Sequence, residues 1–194
     1  MSEKISHLIY NEEFYTKSLK EFGISAKGMH WHNKSTQYTR FKILTSFIKD
    51  IKESSILDVG CGCAEYYNYL IIHKNLPYKY IGIDCFNKMV DISKKRFPNI
   101  EFQIKDTLNT NLIYSDYYVS SGSMSLLDGM DVLLSIENCY KFSNKAFIFN
   151  FLKEEGLSGL TQNQIIMFCK SLCNNVLICD NYLENDFTIS MCKN

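Results

Sequence analysis

The chain has 194 residues, one-domain length, with 46% hydrophobic and 22% charged residues, as in an ordinary globular protein. Lys+Arg and Asp+Glu are equal at 21 each, so no basic excess marks a nucleic-acid partner. No apolar run reaches the ~18 residues a membrane span needs, and the start, Met1-Ser2-Glu3-Lys4-Ile5-Ser6, lacks the apolar core of a signal peptide. The expectation is a soluble, cytoplasmic protein with neither a membrane nor a nucleic-acid partner.

Residues 9–22 read as an amphipathic helix, with Tyr15, Leu19 and Phe22 at helical spacing and Gly23 to stop it. Residues 25–33 have no periodicity. They hold the single tryptophan, Trp31, and two of the four histidines, His30 and His32. Ser35 or Thr36 caps a second helix expected to run to Lys52, with Phe41, Leu44, Phe47, Ile48 and Ile51 on its apolar face. Gln37 and Arg40 are neighbours on that helix.

From Ser54 the pattern alternates. A strand over 54–60 leads through Gly60 and Gly62 into a helix over 64–74. Strands at 78–84, 100–104, 117–121 and 146–152 are interleaved with helices at 87–96 and 129–140. Thr161 and Gln164 form a possible capping box for a helix to Leu172. Residues 175–179 and 187–192 read as a hairpin. Strands alternating with helices predict an α/β protein: a mostly parallel sheet covered on both faces, with one antiparallel strand at the C-terminus.

The eight cysteines include no C-x-x-C pair and no ordered Cys/His pattern for zinc, so they read as free thiols in a reducing compartment. The basic run Lys94-Lys95-Arg96, late in a predicted helix, reads as a solvated face or a complement to the helix dipole.

The chemistry concentrates at the first strand's end. A strand followed by a glycine turn and a helix presents a nucleotide at the strand's carboxyl end. The dinucleotide fingerprint G-x-G-x-x-G/A fails, because its last position is Glu65. The stretch Asp58-Val59-Gly60-Cys61-Gly62-Cys63-Ala64 instead resembles motif I of the class I S-adenosylmethionine (SAM) methyltransferases, with Ala64 at the usual third glycine. The competing reading is a βα turn whose glycines serve packing alone. Asp84 ends the second strand 22 residues after Gly62, placed to accept both ribose hydroxyls, or else to cap the next helix.

The resemblance runs from about Ser54 to the C-terminus and implies the family's seven-stranded sheet, with SAM as cofactor and S-adenosylhomocysteine (SAH) as product. It implies a cofactor site of Asp58, Gly60, Cys61, Gly62 and Asp84. Cys85 and Phe86 would pack on the adenine, Asp106 would take its amino group, Thr107 or Leu108 would lie against the ring, and Ser120 and Ser121 would face the methyl group. The lead-in 26–41 is similar to that of a subgroup of small bacterial methyltransferases. It makes Arg40, with Gln37 beside it, the candidate for the methionine carboxylate, a structural salt bridge being the alternative. Trp31, Tyr66, Ser123, Met124 and Asn150 fall on the expected substrate side. His30 and His32 are the candidate bases, or else packing residues, and residues 1–53 would form an N-terminal helical cap and lid over a core at 54–194. Ser120 and Ser121 stand where metal-dependent members carry carboxylates, so no metal is expected. The implied activity is methyl transfer to a hydroxyl, carboxylate or amine of a small molecule. The alternatives are a non-catalytic SAM-binding partner and, more weakly, an RNA or protein methyltransferase.

Overall fold

The structure, a computed structural model, describes residues 34–109, 111–153 and 158–193. The expected helix at 9–22 and the tract with His30, Trp31 and His32 lie outside the described residues. By its contacts the chain divides into two units, Met1–Thr39 and Arg40–Asn194.

Helix α1 spans Lys34–Ser46 and is shorter than expected. It contains no glycine or proline, and Phe41 and Leu44 are buried. It ends before Lys52 because its last hydroxyls turn back on the helix. Thr45 Oγ1 donates to the Phe41 carbonyl at 2.7 Å and Ser46 Oγ to that of Ile43 at 2.7 Å. The next amides tighten to i−3 carbonyls, Phe47 to Leu44 and Ile48 to Thr45. Asp50 then takes a left-handed conformation at φ 50°, and a single 3-10 turn follows at Ile51–Glu53.

The remaining elements fall close to their expected places. The strands are β1 (Ser55–Val59), β2 (Lys79–Asp84), β3 (Glu101–Ile104), β4 (Ser115–Ser121), β5 (Ser143–Leu152), β6 (Asn175–Cys179) and β7 (Asp186–Cys192). The helices are α2 (Glu65–Ile72), α3 (Asn87–Arg96), α4 (Gly129–Phe142) and α5 (Gln162–Leu172). Thr161 and Gln164 make the capping box of α5 in full.

The sheet has seven strands in the order β3-β2-β1-β4-β5-β7-β6. The pairs among β1 to β5 are parallel, and β7 is inserted antiparallel between β5 and β6. The chain builds outward from β1 to β3, then returns to place β4 on the other side of β1. That reversal leaves a crevice between the carboxyl ends of β1 and β4, where open α/β sheets bind ligands.

Central strands are buried on both faces, hence their near-continuous apolar runs. Leu57 and Val59 of β1 join a core with Tyr118, Phe147, Phe149 and Ile189 of the sheet, Val132 and Ile136 of α4, and Ile165 of α5. Ile56 and Asp58 point to the opposite face, as strand alternation requires. On that face Gly82 pairs with Asp58 on one side and Phe102 on the other. A Cβ at Gly82 would lie 2.5 Å from the Phe102 ring and 3.0 Å from the Cys61 Sγ, so the bare backbone lets β3 and the glycine loop close on β2. Phe102 is buried and cannot swing aside. Gly82→Ala should therefore lower unfolding stability by about 1–3 kcal/mol in a denaturant titration, despite alanine's better strand propensity.

Candidate cofactor site at the carboxyl ends of β1 and β2

The glycine loop leaves β1 through two left-handed residues, Gly60 at φ 64° and Gly62 at φ 53°. Gly60 does more than turn the chain: a Cβ there would collide with that of Ser123 and lie 2.9 Å from its Oγ. The loop after β4 thus packs directly on the loop after β1, and Ser123 Oγ meets Ser120 Oγ at 2.6 Å. Ala64 also sits left-handed, at φ 59°, fully buried ahead of α2. That conformation explains why glycine suits this position, since an L-residue there costs about 1–2 kcal/mol.

Asp84 ties the loop to β2. Its Oδ2 accepts the Gly62 amide at 3.0 Å and its Oδ1 the Phe86 amide at 2.9 Å. The residue capping α3 is Phe86, so Asp84 serves the loop and the turn into the helix rather than the cap position itself. Burial pushes the Asp84 carboxyl up to about 6, against the pull of the Phe86, Gly62 and Cys85 amides. An ionised carboxylate accepts about four hydrogen bonds, which leaves capacity for a ligand hydroxyl beside the three amides.

The loop is held from behind by α3. Ser93 Oγ donates to the Gly62 carbonyl at 2.8 Å. Arg96 donates to the Cys63 carbonyl and pairs with Glu65 at 2.6 Å. The run 94–96 therefore divides: Lys94 and Lys95 are exposed, as a solvated face should be, but the half-buried Arg96 is part of the loop's scaffold. Cys61 is anchored by its amide to the Ile83 carbonyl at 3.0 Å, with its thiol buried and pushed up by desolvation.

Asp58 lies below the loop, 3% exposed, and accepts the Tyr80 hydroxyl. Burial raises its carboxyl to about 7, opposed by the Tyr80 hydrogen bond and reinforced by the Asp84 charge.

At the end of β3, Asp106 Oδ1 accepts the Leu108 amide at 2.9 Å, forming a tight turn. Thr107 is held by α4: its Oγ1 meets Ser135 Oγ at 2.7 Å and its carbonyl accepts Asn138 Nδ2 at 2.8 Å. Asp106, Thr107 and Leu108 are all half-buried, while Cys85 is exposed. The structure thus gathers Asp58, Gly60, Cys61, Gly62, Asp84, Ser120 and Ser123 about the β1, β2 and β4 ends.

The remaining candidates are engaged in scaffold contacts. Asn150 is buried; its Oδ1 accepts the Gly122 amide at 3.0 Å and its Nδ2 reaches Ser121 Oγ at 3.3 Å, bracing the loop after β4. Met124 packs in the core beside Leu57 and Val59. Tyr66 is buried, with its hydroxyl 3.1 Å from Thr45 Oγ1 and its ring centroid 5.2 Å from that of Phe41. Gln37 is buried. Arg40 forms a two-pronged pair with Asp186, Nε to Oδ1 at 2.6 Å and Nη2 to Oδ2 at 2.8 Å.

Sequence reasoning missed Tyr80, Gly82, Ser93 and Arg96. Tyr80, Gly82 and Asp84 share one face of β2 by the two-residue strand period, a signal available in the sequence. Nothing in the sequence marks Ser93 or Arg96, whose partners are loop carbonyls. All eight cysteines are free thiols; five are buried and Cys85 is exposed. Among the described residues no cluster of three His, Cys, Asp or Glu side chains has the geometry for a metal ion, and no helix is long and apolar enough to cross a membrane.

No family model matches the chain. Among curated proteins, one of invertebrate iridescent virus 6 named "Putative methyltransferase 235L" is 29% identical over 80 residues, which span 41% of this chain and 30% of the viral protein. The fold is shared more widely. A TehB-like SAM-dependent methyltransferase from Corynebacterium glutamicum superposes with a TM-score of 0.67 at 15% identity, covering 95% of this chain and 99% of its own. A SAM-dependent methyltransferase from Clostridium acetobutylicum gives 0.67 at 12% identity over 89% of this chain and 97% of its own. The magnesium protoporphyrin IX methyltransferase of Synechocystis, with bound SAM, gives 0.64 at 11% identity over 82% and 79%. The chain has the Rossmann-like fold of the class I SAM-dependent methyltransferases.

The Arg40–Asp186 pair has side chains only 14% and 6% exposed. Asp186→Ala should cost about 3–5 kcal/mol by removing the carboxylate that the buried guanidinium bonds twice, whereas the double variant Arg40→Met/Asp186→Leu should lie much closer to the parent. Urea titration of Asp186→Ala and of the double variant beside the parent measures the difference.

Proposed function

We propose that the chain is a SAM-dependent methyltransferase that acts on a small-molecule acceptor, at a hydroxyl, carboxylate or amine, without a metal. The observation that carries this reading is the buried Asp84 carboxylate at the end of β2, bonded to the amide of Gly62 in the loop after β1. The residues present fit the cofactor. A left-handed glycine loop offers close backbone approach, and Asp84 retains acceptor capacity for a ribose hydroxyl beside its three amide donors. Asp106 and the turn it stabilises would receive the adenine edge. Solved neighbours of this fold hold SAM and SAH.

SAM supplies a sulfonium-bound methyl group, which a nucleophile takes by in-line displacement. The chain's part in such a reaction is to bind, orient and desolvate the reactants, and a base is needed only for an acceptor that arrives protonated. The loop of Ser120, Ser121 and Ser123, held by Asn150, is the segment we assign to the methyl and acceptor side. The zero net charge supports a small acceptor over a nucleic acid.

Isothermal titration should show SAH binding and no binding of nicotinamide dinucleotides; a preference for the latter would sink the reading. Asp84→Ala should weaken SAH by about tenfold or more, since each hydrogen bond to a charged acceptor contributes roughly 1.5–3 kcal/mol. Circular dichroism should show that the variant remains folded. Turnover on a responsive acceptor should persist in EDTA; loss restored by magnesium would place a cation in the reaction.

A further inference from the structure

Tyr80 is a large polar side chain in the middle of a buried parallel strand. It is 5% exposed, in a run that otherwise reads Ile81, Gly82, Ile83. A buried hydroxyl must find a partner, and an aliphatic residue would fill such a site without that need. Tyr80 donates to Asp58 Oδ2. The two are a diagonal pair across adjacent strands, since Ile56 is the register partner of Tyr80 and Gly82 that of Asp58. The ring is held on both sides, 4.7 Å from Tyr67 and 6.4 Å from Phe102 between centroids, so its hydroxyl is aimed by packing.

Asp58 has no other hydrogen-bond donor among the described residues. A buried ionised carboxylate with one donor is under-satisfied, and the natural remedy is a proton or a cationic partner. It lies two residues before Gly60, close enough to Cys61 and Asp84 for their charges to act on one another.

We propose that Tyr80 is a positioning residue of the cofactor site: its hydroxyl fixes Asp58 beneath the glycine loop and sets the charge state in which Asp58 meets a cationic ligand, so that cofactor binding releases a proton from Asp58 to solvent. The proposal rests on the SAM reading, because SAM and SAH both carry an ammonium group.

The sign follows from the charge states. Burial raises Asp58 to about 7, so below that pH the carboxyl of the free protein is neutral. A cation favours the ionised form, and below pH 7 the ligand must bind with loss of the proton. Affinity then rises with pH, by up to about tenfold per unit, and levels off above the Asp58 value. The titratable groups facing Asp58 are Tyr80 and Asp84 of β2, Cys61 of the loop and Tyr66 of α2. Burial pushes Tyr80, Cys61 and Tyr66 upward, so they stay neutral through this range. Asp84, raised to about 6, changes charge at lower pH and is separable from Asp58 by substitution.

The test is titration of the full chain with SAH from pH 5.5 to 8.5, in buffers of different ionisation heats to count protons. The parent protein should release roughly three-quarters of a proton from Asp58 near pH 6.5, with affinity levelling off above about pH 7. Tyr80 lowers the Asp58 value, so Tyr80→Phe should move the break to higher pH, weaken SAH by about three- to tenfold at pH 7, and approach the parent at pH 8.5. Asp58→Asn should abolish that break and leave only the more acidic one from Asp84. A Tyr80→Phe variant that loses thermal stability but superimposes on the parent's pH profile overturns the proposal, as does an unaltered profile in Asp58→Asn. A flat profile in a parent that binds SAH overturns it while leaving the SAM reading intact. Absence of SAH binding at every pH overturns both.

Discussion

The site depends on one hydrogen bond, from the Gly62 amide to the carboxylate that ends β2. Loops at the carboxyl ends of a parallel sheet have no ladder to hold them, so their backbone groups need partners elsewhere. Asp84 supplies one from the front. Ser93 and Arg96 supply others from behind, by taking the carbonyls of Gly62 and Cys63. The loop is thus held between a strand end and the helix that follows that strand. The same carboxylate opens the turn into α3 through the Phe86 amide, so a single side chain fixes both ends of the β2–α3 connection relative to β1.

The arrangement is costly in electrostatic terms. Asp58 and Asp84 are both buried, each is raised by desolvation, and Asp84 raises Asp58 further. Two carboxyls kept close in a low-dielectric setting are hard to justify by stability alone, because apolar residues would fill the same space without the penalty. Perturbed acids clustered at a cleft are more characteristic of a ligand site. The large apolar core on the other face of β1 offsets this cost, with Phe147 and Phe149 stacked at 4.9 Å and α4 and α5 packed across them.

The sequence and the structure agree best where local pattern controls the outcome. Every strand and helix expected from Ser54 onward is present within a few residues, because buried parallel strands and amphipathic helices leave different periods in the sequence. The helix after Lys34 ended early, since Thr45 and Ser46 bonded back to their own helix and the Lys49 amide turned to the Tyr117 hydroxyl at 3.2 Å. Propensity along the helix could not reveal that long-range acceptor. Arg40 shows the same limit: spacing placed it on a helix near the motif, but Asp186, 146 residues away, supplies its partner.

By itself the sequence determined the class of fold, the position of the glycine loop and the acid at the end of the second strand, because each is a short-range pattern with its own physical cause. Strand alternation, left-handed turns that call for glycine, and the spacing of one βα unit are written into neighbouring residues. Tertiary structure decided which polar groups meet across the sheet. It set Tyr80 against Asp58, Ser123 against Gly60, Arg96 behind Cys63, and Asn150 under the loop after β4. Those contacts join residues far apart in the chain, and they form only when strand order and register bring the carboxyl ends of β1, β2, β4 and β5 side by side.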